Sequence, residues 1–142
     1  MSFVDEASMR RQYHFRQSEA GLLAWDVHGL IALSRSLPVC QVPLSAIAEL
    51  DEAYWWDAGA PPPTCRQVIE HMQLVEAADL RYPIILCPQG RVMDGMHRVA
   101  KAVLLGKAEI AAVRLLELPP PDHVGVDPDD LCYDDIELDC PK

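Results

Sequence analysis

The stretch from Pro83 to Leu116 constrains the fold more than any other part of the chain. It passes from a dense apolar run, Pro83-Ile84-Ile85-Leu86-Cys87, through a Pro88-Gln89-Gly90 turn into Arg91-Val92-Met93. Asp94-Gly95 then opens an amphipathic segment that stops at Gly106, and Ala108 to Leu116 follows with Ile110, Val113 and Leu115. Short apolar runs bounded by Pro and Gly predict buried strands. Met96, Val99, Ala100 and Val103 on one face predict a helix over 95–105, with Gly106 as its C-terminal stop. Strands and a helix in this alternation predict an α/β (α+β) domain with a small mixed sheet and helices packed on it.

The remaining segments extend that plan. Residues 1–18 are polar without a clear period and read as a loose arm or a docking helix. Leu22, Trp25, Val27, Leu30, Ile31 and Leu33 are spaced as in a helix that Pro38 ends, so residues 1–38 form a helical N-terminal extension in this reading. Val39 to Leu44 alternates as a strand, and Ser45 is the expected N-cap of a short helix through Leu50. Asp51 to Pro63, with Tyr54-Trp55-Trp56 and three consecutive prolines, reads as a long loop. Its tryptophans either cap the edge of the core or close over a ligand. Thr64-Cys65-Arg66-Gln67 has the form of a capping box and predicts a helix to about Leu80, with Cys65, Val68, Ile69, Met72 and Val75 on its apolar face. The sheet is expected from segments near 39–44, 83–87, 91–94 and 109–115, within a domain spanning 39–116.

Charge divides the chain unevenly. Of the net −10, most lies in residues 117–142, which hold nine acids and one base, against thirteen acids and eleven bases in residues 1–116. Leu131, Tyr133 and Ile136 are the apolar residues able to pin this acidic tail to the body. Duplex DNA binding needs several phosphates neutralised by Lys and Arg, so no DNA partner is expected. One small phosphate ligand needs only a local positive site. No run approaches the roughly 18 apolar residues of a membrane span, and the first residues lack a secretory apolar region, so a cytoplasmic protein without a membrane partner is expected. The five cysteines (Cys40, Cys65, Cys87, Cys132, Cys140) include no C-x-x-C and make a poor zinc site or disulfide framework; a Cys132–Cys140 bridge or shared metal is a minor alternative.

The chemistry-bearing segment is Asp94-Gly95-Met96-His97-Arg98, set between a predicted strand and a predicted helix. A helix start presents unpaired backbone N–H groups and the positive end of the dipole, which suits a phosphate. Gly95 permits either close approach of a ligand or a turn with positive φ. His97, Arg98 and Lys101 fall on one side of the helix, and cations at a helix N-terminus oppose the dipole unless an anion is present. The plainer reading stands beside this one: Arg98 pairs with a carboxylate, His97 bonds a carbonyl, Lys101 is solvated, and Asp94 is a helix cap. The other histidines (His14, His28, His71, His123) lack metal-ligand spacing, and His71 reads as a helix-surface residue.

Tyr82-Pro83-Ile84-Ile85-Leu86 followed by Gly90-Arg91-Val92-Met93-Asp94-Gly95-Met96-His97-Arg98-Val99-Ala100-Lys101-Ala102 resembles the ParB/sulfiredoxin superfamily, whose pattern runs "PIIV … G … DGxHR … A … G". The resemblance covers roughly Val39 to Leu116 and is strongest over residues 82–106. The whole chain is also similar to a group of small bacterial ParB-like proteins with a "WW" loop and an "MDGMHR" core. The resemblance implies a nucleotide site for ATP or ADP, with CTP as a further option, whose phosphates sit at the start of the helix. Gly95, Met96, His97 and Arg98, with Lys101 one turn on, are then the cofactor-binding candidates, and Asp94 lies beside the phosphates.

The departures narrow the options. Met96 stands where sulfiredoxins carry their catalytic Cys, and a thioether cannot act as a thiolate. ParB clamps have Gly-Glu-Arg-Arg and a downstream DNA-binding domain, whereas an acidic tail follows residue 116 here. The best local match is to the superfamily's free-serine kinases, with Asp-Gly-His-His-Arg and an acidic base before the long helix; Glu49, Asp51 and Glu52 lie in that region. The expected activity is phosphoryl transfer to a small hydroxyl compound, with Glu52 or Asp51 as base, Asp94 nearby and Mg²⁺ on the phosphates. The alternatives are a nucleotide-responsive module for a protein partner and a purely structural interaction domain. The oligomeric state is left open.

Overall fold

The computed structural model describes residues 12–56 and 59–131. Ile84, Ile85 and Leu86 are apolar without alternation because their strand is covered on both faces. This strand, β4 (Ile84–Leu86), lies between β6 (Glu109–Arg114), which it pairs in parallel, and β5 (Val92–Asp94), which it pairs antiparallel. Strand β3 (Cys40–Pro43) joins antiparallel to β6, giving a mixed sheet of order β3-β6-β4-β5. All four strands arise from the four segments expected.

Side chains alternate across a strand, and β4 sends them into two cores. Ile84 and Leu86 pack with Leu44, Ile47, Val92, Met96, Val99 and Ile110 under helix α3 (Met96–Leu104). Ile85 and Cys87 pack on the other side with Trp25, Leu30, Ile31, Met93 and Leu115, beneath helix α1 (Val27–Ser34). Helix α2 (Cys65–Ala77) carries the complete capping box: the Gln67 N–H donates to the Thr64 hydroxyl, and the Thr64 N–H donates to the Gln67 side chain. It stops at Ala77, short of Leu80.

Several local expectations are corrected. The segment read as a helical extension contains a hairpin, β1 (Tyr13–Ser18) and β2 (Gly21–Asp26), and helix begins only at Val27. Asp26 caps that helix by accepting from the His28 N–H. Leu23 and Trp25 already obey a strand period on the core side, so the helical spacing through them is coincidental. A short strand, β7 (His123–Val124), pairs with β2 to complete a second, three-stranded sheet, and the Trp25 indole donates to the Pro119 carbonyl at 2.8 Å. The acidic segment is thus attached to the hairpin through residues 119–125, and Leu131 beyond them is buried. Tyr133, Ile136, Cys132, Cys140 and the proposed arm over residues 1–11 lie outside the described residues.

Ser45 caps no helix; residues 44–51 form two 3-10 turns, Leu44–Ala46 and Ala48–Asp51, without side-chain caps. On α3 the buried residues are Met96, Val99 and Ala102, and Val103 is exposed, so the stripe is rotated from the one expected. On α2 only Val75 of the five apolar-face residues is buried. No helix of the described residues is long and apolar enough to cross a membrane.

Candidate functional site

Asp94 ends β5, Gly95 takes the left-handed conformation (φ 107°, ψ 22°), and α3 starts at Met96. This position requires glycine for two reasons internal to the fold. The φ is unfavourable for other residues, and a Cβ would stand 2.6 Å from Ile84 Cγ2 and 3.0 Å from Arg98 Nη2. Of the two uses considered for Gly95, the turn accounts for it. No side chain caps the start of α3. Its first N–H groups lack intrahelical partners by construction, and they border a cavity of about 360 Å³ walled by Gln12, Leu74, Tyr82, Asp94, His97 and Arg98.

The cations expected around this turn do not form one free polar face. Arg98 Nη2 donates to Asp94 Oδ2 at 2.7 Å, and Nη1 donates to the carbonyls of Pro83 (2.7 Å) and Tyr82 (3.0 Å). It thereby ties α3 to β5 and to the entry of β4. Lys101 Nζ donates to the carbonyls of Ala78 (2.7 Å) and Glu76 (2.8 Å) at the end of α2. There a cation meets carbonyls that the helix leaves open. These contacts offset the charge cluster internally, so it does not by itself demand an anion. Met96 is buried in the core, and its backbone N–H is the part of it at the helix start.

His97 takes a different course. Its Nε2 shares a hydrogen bond of 2.9 Å with Nδ1 of His71, and Trp55 stacks on both imidazoles with centroid separations of 4.8 Å (His97) and 4.7 Å (His71). Trp56 meets His71 edge-on. Burial, together with the neighbouring His71, holds His97 below the usual histidine range despite the opposing pull of Asp94. His71, read as a surface residue, faces α3 and belongs to this stack. The Tyr54-Trp55-Trp56 loop therefore lies over the start of α3.

Trp55 itself lines a second cavity, of about 570 Å³, together with His14, Arg16, Glu49, Tyr54 and Arg91. Glu49 is only 1% exposed. Its Oε2 accepts from the Val92 N–H at 2.5 Å and lies 3.5 Å from Arg91 Nε, while Oε1 has no hydrogen-bond partner among the described residues. Burial and the charges of Glu49 and Asp94 push the Tyr54 phenol up to about 12, so it stays protonated. Burial first, then the cations of Arg16 and Arg91, lower His14 to about 4. Neutral His14 accepts from Arg16 Nε at 2.9 Å.

Of the four acids read from the sequence, Asp94 lines the first cavity and is paired with Arg98. Glu52 is exposed and forms a two-point pair with Arg91 (2.7 and 2.8 Å), which lowers its pKa. Asp51 is exposed. The buried carboxylate facing the cleft is Glu49, three residues before Glu52. His14, Arg16 and Tyr54 were not singled out. The alternation His14-Phe15-Arg16, which puts His14 and Arg16 on one face of a strand, is the signal that points to those two, and none points to Tyr54. Among the described residues no three His, Cys, Asp or Glu side chains converge as a metal shell. The chain matches no protein-family model, no curated protein and no solved structure at a significant level.

Proposed function

We infer that the start of α3 binds the phosphates of a nucleotide, ATP or ADP with CTP as a further option, and that the cavity at His97 and the cavity at Trp55 hold donor and acceptor of a phosphoryl transfer. The observation that carries this reading is the uncapped α3 N-terminus behind left-handed Gly95, opening on a cavity of about 360 Å³. Backbone N–H groups of residues 96–98 would supply the phosphate contacts, with His97 and Arg98 at the rim. Arg98 acts chiefly through the Asp94 pair that shapes the turn. The ParB/sulfiredoxin resemblance of the Asp94-to-Arg98 segment is consistent with this use of a strand-to-helix junction.

Glu49 is the better base than Glu52 or Asp51. It is buried, keeps one oxygen unpartnered and lines the second cavity, whereas Glu52 is neutralised by Arg91 outside it. In the transfer the terminal phosphoryl group loses its bond to the nucleotide's bridging oxygen and gains one to the acceptor hydroxyl, whose proton passes to Glu49. The nucleotide leaves one phosphate shorter. Mg²⁺ would neutralise charge on the phosphates, with Asp94 the nearest carboxylate to the turn. Free thiols at Cys40, Cys65 and Cys87 suit a reducing cytoplasm.

A second reading, a nucleotide-responsive interaction module, is favoured by the loop Trp55 packing directly on His97, which lines the first cavity. A thermal-shift panel of nucleoside mono-, di- and triphosphates with and without Mg²⁺ tests the binding claim. Product analysis with candidate hydroxyl acceptors then separates transfer from response.

A further inference from the structure

Helix α2 turns most of its apolar stripe away from the core. Ile69 is 52% and Met72 58% exposed, and Val68 lies at the same edge. Leu104 at the end of α3 is 76% exposed, with Val103 and Leu105 beside it. The two helices pack side by side, and an apolar groove runs between them from Trp56 and Val68 to Val103 and Leu104. Isolated exposed apolar residues need no explanation, but a contiguous face on two adjacent helices marks an association surface.

The charges on α2 indicate what covers it. The helix has no acid in its first turn and no base in its last. Arg66 stands in the first turn and Glu76 in the last. Each opposes the dipole of its own helix, which favours acids at the N-terminus and bases at the C-terminus. An antiparallel copy of the same helix reverses the relation. Arg66 and Glu76 lie ten positions apart, about 15 Å along the axis. With Ile69 of one helix set against Met72 of the other, Arg66 of each copy falls near Glu76 of its mate at both ends. The face is thus self-complementary, as a two-fold interface requires.

We propose that the α2–α3 face is a homodimer interface in which two α2 helices pack antiparallel, with Ile69 and Met72 at the centre and Arg66–Glu76 pairs at the ends. The observations behind it are independent of nucleotide binding.

Analytical ultracentrifugation of the full chain over a concentration series tests this. A reversible species of twice the 15.8 kDa chain mass is expected. Met72→Asp and, separately, Ile69→Lys should each weaken association by roughly tenfold or more. Both positions are exposed, and far-UV circular dichroism checks that each variant keeps its fold. Arg66→Glu alone should weaken the dimer, and Arg66→Glu combined with Glu76→Arg should restore it. A wild type that stays monomeric at every concentration overturns the proposal, whether another segment or another protein covers the face. So does a dimer that is insensitive to Met72→Asp and Ile69→Lys. Failure of the charge swap to restore association overturns the antiparallel arrangement.

Discussion

Trp55 and His97 lie face to face, their ring centroids 4.8 Å apart and their planes 10° from parallel. Trp55 lies on a loop and His97 in the first turn of α3, so this contact fastens the loop over the turn that begins the helix. His97 walls the first cavity and Trp55 the second, so the stacked pair links a residue of each.

Trp55→Ala should leave the sheet and α3 intact but free the loop. Stability should fall, by less than the roughly 3–5 kcal/mol of a fully buried aromatic, because the ring is only half-buried. If ADP binds at the start of α3 as proposed, the wild type should show a change in tryptophan emission that the variant loses. Emission spectra recorded with and without ADP check this.

Gly95→Ala should be disproportionately costly for a single methyl group. The left-handed backbone costs of order 1–3 kcal/mol for a non-glycine residue, and the new Cβ would press on Ile84. Chemical denaturation should give a clearly lower midpoint, whereas Gly29→Ala, where a Cβ meets nothing within 4 Å, should not.

Stability should depend on pH through His14. Its folded pKa of about 4 lies below the 6.5 of the free side chain, so the unfolded chain binds the extra proton first. The stabilisation is full above pH 6.5 and falls as pH drops toward 4, by about 3 kcal/mol in all. His97, shifted in the same direction, adds to the slope. His14→Gln keeps an acceptor for Arg16 and should flatten the curve in this window. Denaturation midpoints measured from pH 7.5 to 4.5 decide it.

Glu49→Gln keeps an acceptor for the Val92 N–H while removing the buried charge. The Tyr54 phenol, relieved of one of its two neighbouring anions, should titrate lower in the variant than in the wild type when followed by ultraviolet absorbance. Phosphoryl transfer should fall by roughly a hundredfold or more, with nucleotide affinity little changed. Equal transfer rates in wild type and variant would remove Glu49 from the chemistry.

Local punctuation made part of this fold legible. Pro83, Gly90, Gly95 and Gly106 bracket two strands and a helix, and Thr64 with Gln67 announces α2 by a cap that needs no tertiary partner. The β1–β2 hairpin was hidden because Trp25, Val27 and Leu30 satisfy a helical spacing across the strand-to-helix boundary at Asp26. The apolar stripe of α2 was legible as a stripe, but periodicity does not say what covers it. Asp94 and Gly95 were found at the turn. Glu49 and His71 were harder to find, because burial of a carboxylate and stacking of an imidazole depend on a loop folded back from a distant part of the chain. Arg98 and Lys101 illustrate the converse: their spacing suggested a ligand, and backbone carbonyls occupy their donors.

The proposed phosphate contacts are backbone amides at the start of α3, and amide resonances test them directly. Two-dimensional ¹H–¹⁵N spectra of the labelled protein, recorded while ADP, ATP or pyrophosphate is added with Mg²⁺, report each amide separately. Saturable shifts largest at Met96, His97 and Arg98, equal in kind for pyrophosphate and nucleotide, are the predicted result. Amides at the start of α3 that do not move up to millimolar ligand, or saturable shifts confined to another part of the chain, would contradict it.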